Sequence, residues 1–190
     1  MVLKGTERLL KSKQRVADHG EVFTPAWMVE DMLDLVKDES ERIDARVLEP
    51  ACGSGNFLTE SYLSLRRLEN QAIMLSVNTA KKQVAGQMIL GEGNLNPVKV
   101  SIHQFYGIEI NDFAATVAKT ALWIAESQML KETEDIIAHQ IDFLPLKSYA
   151  NITEGNALRL NWEDVVPKGK LNYIMGNPPF VGARLMDVAQ

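Results

Sequence analysis

Apolar residues recur along this chain with two different periods, and the switches between them outline its elements. Trp27, Met28, Met32, Leu33, Leu35 and Val36 fall at three- and four-residue steps after Thr24-Pro25, which predicts a helix with Thr24 as N-cap and Pro25 in its first turn. Arg46-Val47-Leu48-Glu49 is a short apolar run halted by Pro50; Gly53 and Gly55 then turn the chain into a second helix from about Asn56 to Leu68. Phe105-Tyr106-Gly107-Ile108-Glu109 reads as the next strand. From Asn111 to Leu130, Val117, Ala118, Ala121, Leu122, Ala125 and Met129 keep a helical period. Tyr149 to Glu154 and Leu171 to Met175 supply a third and a fourth strand, the last running into Gly176-Asn177-Pro178-Pro179-Phe180. Two stretches hold no clear period. Residues 70–100, with Gly91, Gly93, Asn94, Asn96 and Pro97, read as an insertion, and 131–149 as a short helix followed by Leu144-Pro145-Leu146. Strands alternating with helices predict an α/β fold with a doubly wound, mostly parallel sheet, whose binding loops lie at the C-terminal ends of the strands.

Composition refines this picture. With 190 residues, 46% hydrophobic and 24% charged, the chain can bury one core and reads as one domain or part of one. No apolar run is long enough for a membrane span, the first residues lack the apolar centre of a signal peptide, and the single Cys52 cannot form an internal disulfide, so the cytoplasm is the expected compartment. A net charge of −5 argues against a nucleic-acid partner, which usually leaves a basic footprint. The charge is uneven, however. Residues 1–16 carry Lys4, Arg8, Lys11, Lys13 and Arg15 against Glu7 alone, so 1–22 form a basic arm, helical or flexible, that is either a solvated end or a phosphate-facing segment.

Four loops hold the candidate chemistry. In Glu49-Pro50-Ala51-Cys52-Gly53-Ser54-Gly55-Asn56, two glycines let the backbone turn sharply and a ligand approach closely. No Gly-Lys-Ser/Thr follows, and the third glycine of a dinucleotide fingerprint is missing, so the segment is an ordinary strand-to-helix turn or a cradle of another kind. Glu49 at the strand end repels phosphate and suits a ligand bearing an ammonium group. Glu109 ends the second strand, where an acid can accept both ribose hydroxyls of a nucleoside. It follows Gly55 by 54 residues rather than the usual ~20, which requires the insertion, and its other reading is a surface carboxylate capping the next helix. Asn177-Pro178-Pro179-Phe180 combines rigid carbonyls, a carboxamide and an aromatic face for a planar ligand. Phe23-Thr24-Pro25 is a helix start at the least. Cys52 reads most simply as a small residue packed under the glycine turn. His19, His103 and His139 fall outside these loops and no Cys pair exists, so no metal site is expected.

Taken in order, Gly20-Glu21-Val22-Phe23-Thr24-Pro25, Leu48 to Phe57, Tyr106-Gly107-Ile108-Glu109, Gly155-Asn156-Ala157 and Gly176-Asn177-Pro178-Pro179-Phe180 resemble the motifs of the amino-methylating DNA methyltransferases. The likeness covers residues 20–182 and is greatest to the adenine-specific enzymes of bacterial restriction-modification and related phage-defence systems. It implies a Rossmann-like, class I S-adenosylmethionine-dependent methyltransferase fold over 23–190, incomplete at the C-terminus, with the target-recognition region outside these residues.

The resemblance also implies roles. Phe23, Thr24 and Pro25, together with Glu49, Ala51, Gly53, Gly55 and Asn56, would hold the methionine end of S-adenosyl-L-methionine. Glu109 would take the ribose hydroxyls and Ile110 the adenine face; Asn156 and the Ala157 N–H would bind the adenine edge. Asn177 and Pro178 would accept the N–H groups of the target amine, with Pro179 and Phe180 completing the catalytic loop and Phe180 stacking on the flipped base. The implied partners are double-stranded DNA and a specificity or restriction subunit or fused nuclease, with no membrane. A segment of this extent is expected to bind cofactor weakly and not to methylate DNA alone. Alternatives of the same chemistry are cytosine N4, RNA guanine or protein glutamine as acceptor, and one of another class is a non-catalytic α/β assembly module.

Overall fold

The computed structural model describes residues 24–34, 44–83, 97–141 and 150–178. The described elements are α1 (Ala26–Asp34), β1 (Val47–Glu49), α2 (Asn56–Gln83), β2 (Phe105–Glu109), α3 (Asp112–Ile137), β3 (Asn151–Glu154) and β4 (Tyr173–Ile174), with three-residue 3-10 turns at Ile102–Gln104, Trp162–Asp164 and Lys168–Lys170. The strands form a single parallel sheet in the order β3-β2-β1-β4. Val47 stands opposite Phe105 on one side and Tyr173 on the other, while Gly107 pairs with Ile152 across to β3.

The pleat decides what each face meets. Val47, Phe105 and Ile152 point to the side where α2 supplies Leu58, Tyr62 and Leu65 and α3 supplies Ala115, Ala118, Leu122, Ala125 and Met129. The Tyr62 and Phe105 rings meet edge to face at 5.6 Å. On the opposite side, Leu48 and Ile108 are buried under Trp162, Val165, Val166 and Leu171. These come from the irregular stretch between β3 and β4, so among the described residues 3-10 turns rather than α-helices cover that face.

A polar pin locks α2 onto α3. Arg66 is fully buried; it pairs with Glu69 and donates to the Met129 carbonyl at 3.2 Å and Thr133 Oγ1 at 2.6 Å. Glu69 Oε1 in turn accepts from the backbone N–H groups of Lys99 and Val100, at 2.6 and 3.2 Å. One ion pair therefore joins α2, α3 and the strand approach to β2.

Several boundaries differ from the sequence expectation. The first intrahelical bonds of α1 run to the Pro25 carbonyl, so the cap is Pro25 and not Thr24, whose hydroxyl is turned elsewhere. The second helix does not stop at Leu68: it continues to Gln83 through the first half of the expected insertion. Its Glu69 and Asn70 are buried because the pin satisfies them, which is why the helix carries polar residues inward where an apolar period was sought. Likewise α3 passes Leu130 and ends at Ile137, where Ala138 takes the left-handed conformation at φ 54°. β1, β3 and β4 are each shorter than expected; β2 has the expected bounds. The basic arm, the remainder of the insertion at 84–96 and Leu144-Pro145-Leu146 lie outside the described residues.

Removing Glu69 strands a buried guanidinium. Glu69→Ala is expected to lower stability by roughly 3–5 kcal/mol, read from the midpoint of urea unfolding at constant slope.

Candidate active site

The parallel register brings the C-terminal ends of the strands together, and the loops that leave them converge. After Glu49, the Cys52 N–H donates to the Ile108 carbonyl at 3.0 Å, folding the glycine loop over β2. Gly55 adopts φ +81°, and a Cβ there would fall 2.8 Å from Ala118 Cβ, so glycine allows α2 to start against α3. The Gly53 N–H donates to Glu109 Oε2 at 2.7 Å and the Asn111 N–H to Glu109 Oε1 at 2.9 Å. Glu109 thus orders the glycine loop and the entry to α3, while the Asn111 side chain, not Glu109, caps that helix. Beside it, the Gly155 N–H donates to the Glu109 carbonyl at 2.8 Å and brings Asn156 alongside.

Glu49 is the centre of the arrangement. It is 3% exposed and Oε2 has no hydrogen-bond partner among the described residues. Its carboxyl is pushed up to about 8, first by burial and then by the charge of Glu109, against the opposing pull of the Asn177 backbone N–H that it accepts. Gly176 permits this contact, since a Cβ there would sit 2.8 Å from Glu49 Cγ and 3.1 Å from Oε1. A buried acceptor beside a second carboxylate, in a cradle of backbone donors, fits a cationic ligand group that also offers hydroxyls. The ammonium and ribose of S-adenosylmethionine have that chemistry.

The other expected site residues divide. Asn156 Oδ1 accepts the Leu158 N–H at 2.9 Å and closes a turn, and its NH2 makes no hydrogen bond among the described residues, so a ring nitrogen could receive it. Ala157 packs against the core, and its carbonyl accepts Trp162 Nε1 at 2.7 Å. Ile110 is 67% exposed. Ala51 is half-buried in the glycine loop, and Pro25 serves α1. Asn56 is turned to another task, donating through Nδ2 to the Thr24 carbonyl at 3.3 Å. Asn177 and Pro178 are exposed at the end of β4, whereas Phe23, Pro179 and Phe180 lie outside the described residues. Cys52 is buried and its thiol is pushed up by burial, then by Glu49 and Glu109, which removes a nucleophilic role.

Sequence reasoning missed two contacts and one neighbour: Gly176, read as part of the Asn-Pro-Pro-Phe motif, makes room for Glu49; Asn111, read as a helix start, is held by Glu109; and Leu158, 79% exposed beside Asn156, was not singled out. A signal for Leu158 was present, since a bulky apolar residue follows directly on Asn156-Ala157 in a polar loop. Among the described residues no group of three or more His, Cys, Asp or Glu could hold a metal ion, and no helix is long and apolar enough to cross a membrane.

Comparison with known proteins places this geometry. The family model of the MmeI DNA-methyltransferase domain matches residues 26–190. DNA methyltransferase A of Bacillus subtilis is 42% identical over 142 residues, covering 73% of this chain and 15% of that protein. A putative type II restriction enzyme and methyltransferase of Methanocaldococcus jannaschii is 29% identical over 127 residues, covering 67% of this chain and 9% of that protein. The chain therefore spans a small part of the length of these relatives. The structure of the type IIL restriction-modification enzyme MmeI in complex with DNA aligns with a TM-score of 0.63 at 30% identity, over 86% of this chain and 22% of that one.

Burial of Glu49 makes stability depend on pH with a definite sign. Its folded value lies above the ordinary 4.5, so the folded state holds the extra proton, and the contribution of Glu49 to stability is full below about 4.5 and is lost as pH rises through about 8. Glu49→Gln is therefore expected to raise the thermal midpoint of the ligand-free chain by a few degrees near about pH 8.5, the gain shrinking toward about pH 5. Melting curves across that range check it.

Proposed function

Because the chain belongs to the MmeI DNA-methyltransferase domain family of restriction-modification enzymes, we propose that it takes part in transferring a methyl group from S-adenosylmethionine to the exocyclic N6 amine of an adenine in DNA. The observation that carries the reading is the convergence of Glu49, Glu109, Asn156 and Asn177 at the C-terminal ends of four adjacent parallel strands.

The cofactor, when bound, supplies an electrophilic methyl on a positively charged sulfonium. Glu49 binds its ammonium, Glu109 its ribose hydroxyls, and Asn156 with the Ala157 N–H its adenine edge. Ile110 and Leu158 cover the ring, both being exposed apolar residues next to those polar groups. The target amine is a poor nucleophile because its lone pair is conjugated into the base. The Asn177 carboxamide oxygen and the Pro178 carbonyl accept its two N–H bonds, drawing the nitrogen toward a pyramidal geometry with the lone pair directed at the methyl group. Positioning and electrostatics carry the step, and no side chain must act as a strong base. The base has to leave the duplex to reach Asn177, and Phe180 supplies its stacking face. The relatives named for restriction as well as methylation support a nuclease function alongside, fused or as a separate subunit. The cytoplasm, where such DNA is met, is the proposed compartment.

Calorimetric titration with S-adenosylmethionine or its demethylated product should give binding that Glu109→Ala and Asn156→Ala each weaken by about tenfold or more. Undiminished binding in both variants overturns the assigned pocket. Mass spectrometry of nucleosides from DNA methylated by a polypeptide carrying this domain should show N6-methyladenine, and Asn177→Ala should abolish it while sparing cofactor affinity. N4-methylcytosine would move the acceptor, and turnover retained by Asn177→Ala would remove Asn177 from the chemistry.

A further inference from the structure

Thr24 occupies a place that helix capping does not explain. It is 7% exposed, and α1 begins from the Pro25 carbonyl, so the Thr24 hydroxyl is not consumed as a cap. Instead Asn177 Nδ2 lies 3.5 Å from Thr24 Oγ1, across 153 residues of sequence. Thr24 is itself held from behind. Its carbonyl accepts Asn56 Nδ2 at 3.3 Å, and Asn56 Oδ1 lies 3.4 Å from Ser54 Oγ, which ties it to the glycine loop.

We propose that Thr24 is a positioning residue for Asn177, and that Asn56 is the residue that keeps Thr24 in place. The inference rests on the methyltransferase reading for what Asn177 does, but not for the contact itself. Asn177 is fixed at two points: its backbone N–H on the Glu49 carboxylate and its carboxamide nitrogen on Thr24. The second contact decides which end of the carboxamide faces outward. With the NH2 turned to Thr24 as a donor, Oδ1 is the atom presented to an incoming amine, and an amine N–H needs an acceptor there. A carboxamide turned the other way would confront the amine with a donor. At 3.5 Å the contact is long, as hydrogen bonds among catalytic groups often are before substrate is bound. Thr24 thereby acts on the acceptor side of the reaction through Asn177, while Asn56 ties it to the glycine loop.

The distinguishing variant is Thr24→Val, which keeps the branched shape and buried volume and deletes the hydroxyl. In a methylation-competent polypeptide it should lower kcat by about ten- to a hundredfold, the scale set by misplacing a reacting group, a loss well in excess of any change in cofactor Kd. Thr24→Ser should restore most of the lost turnover, and Asn56→Ala should reduce turnover in the same direction as Thr24→Val. Parallel losses in cofactor affinity and turnover, or unchanged turnover, would overturn the proposal. A second readout needs no activity: in the 15N-labelled 190-residue chain, the Asn177 side-chain NH2 resonances, assigned by their loss in Asn177→Asp, should shift on Thr24→Val in the absence of any ligand. If they do not move, the contact is absent and the proposal fails. If they move while wild-type protein binds no S-adenosylmethionine, the functional reading fails and the positioning contact stands.

Discussion

The meeting of Glu49 with the glycine loop, Glu109 and Asn177 follows from one constraint, the parallel pairing of β1 with β2 on one side and β4 on the other. That register sets Glu49 opposite Gly107 and Leu48 opposite Ile174, so three strands end at nearly the same height and their loops must share the space beyond. The order β3-β2-β1-β4 reverses direction at β1, which makes this end of the sheet its topological switch point. A one-residue slip of β4 would turn Gly176 away from Glu49 and replace it with a residue whose Cβ could not fit. Gly176 and Asn177 are therefore placed by sheet hydrogen bonds, and the side chains only refine their position.

That constraint has an energetic price. Two carboxylates are brought together near the end of the sheet, one of them buried and lacking a partner on one oxygen, and the unliganded fold is weaker at high pH as a result. Elsewhere the molecule handles buried charge differently. Arg66 and Glu69 satisfy each other and nearby backbone groups at the far end of the α2–α3 interface. The contrast lies in the two carboxylates: both oxygens of Glu69 accept from protein groups, whereas Glu49 Oε2 has no partner among the described residues.

The sequence exposed those parts of the fold in which local chemistry and tertiary role coincide. β2 was legible because apolar β-formers filled it, and the glycine loop because Gly53 and Gly55 serve the same turn in isolation and in the fold. Glu109 was weighed as a helix cap or a ligand group; in the structure the cap falls to Asn111, and Glu109 accepts from the Gly53 and Asn111 N–H groups, contacts that its place in the sequence does not show. The extension of α2 was hidden because its inward face there is polar and is satisfied only by α3 and by the residues before β2, contacts that no window along the chain can show. Thr24 was misread for a similar reason. A Thr before a Pro and an amphipathic run has the signature of a cap, but the hydroxyl was claimed by Asn177 from the other end of the chain.

Charge connects this local picture to the proposed substrate. Glu109 stands close enough to Glu49 to raise its carboxyl, so in the proposed reading a DNA phosphate drawn toward this end of the sheet would meet acidic groups. In that reading the acidic residues at the cofactor end and the exposed Asn177-Pro178 turn would divide the substrate accordingly, with a neutral, extruded base approaching the turn while the phosphate backbone stays outside. The overall charge of −5, which by itself argues against a nucleic-acid partner, is then compatible with one, because the groups that bind a cationic cofactor must be acidic whatever grips the DNA. Affinity for the duplex has to come from basic surface elsewhere, and the site itself needs only to reject phosphate and admit a base.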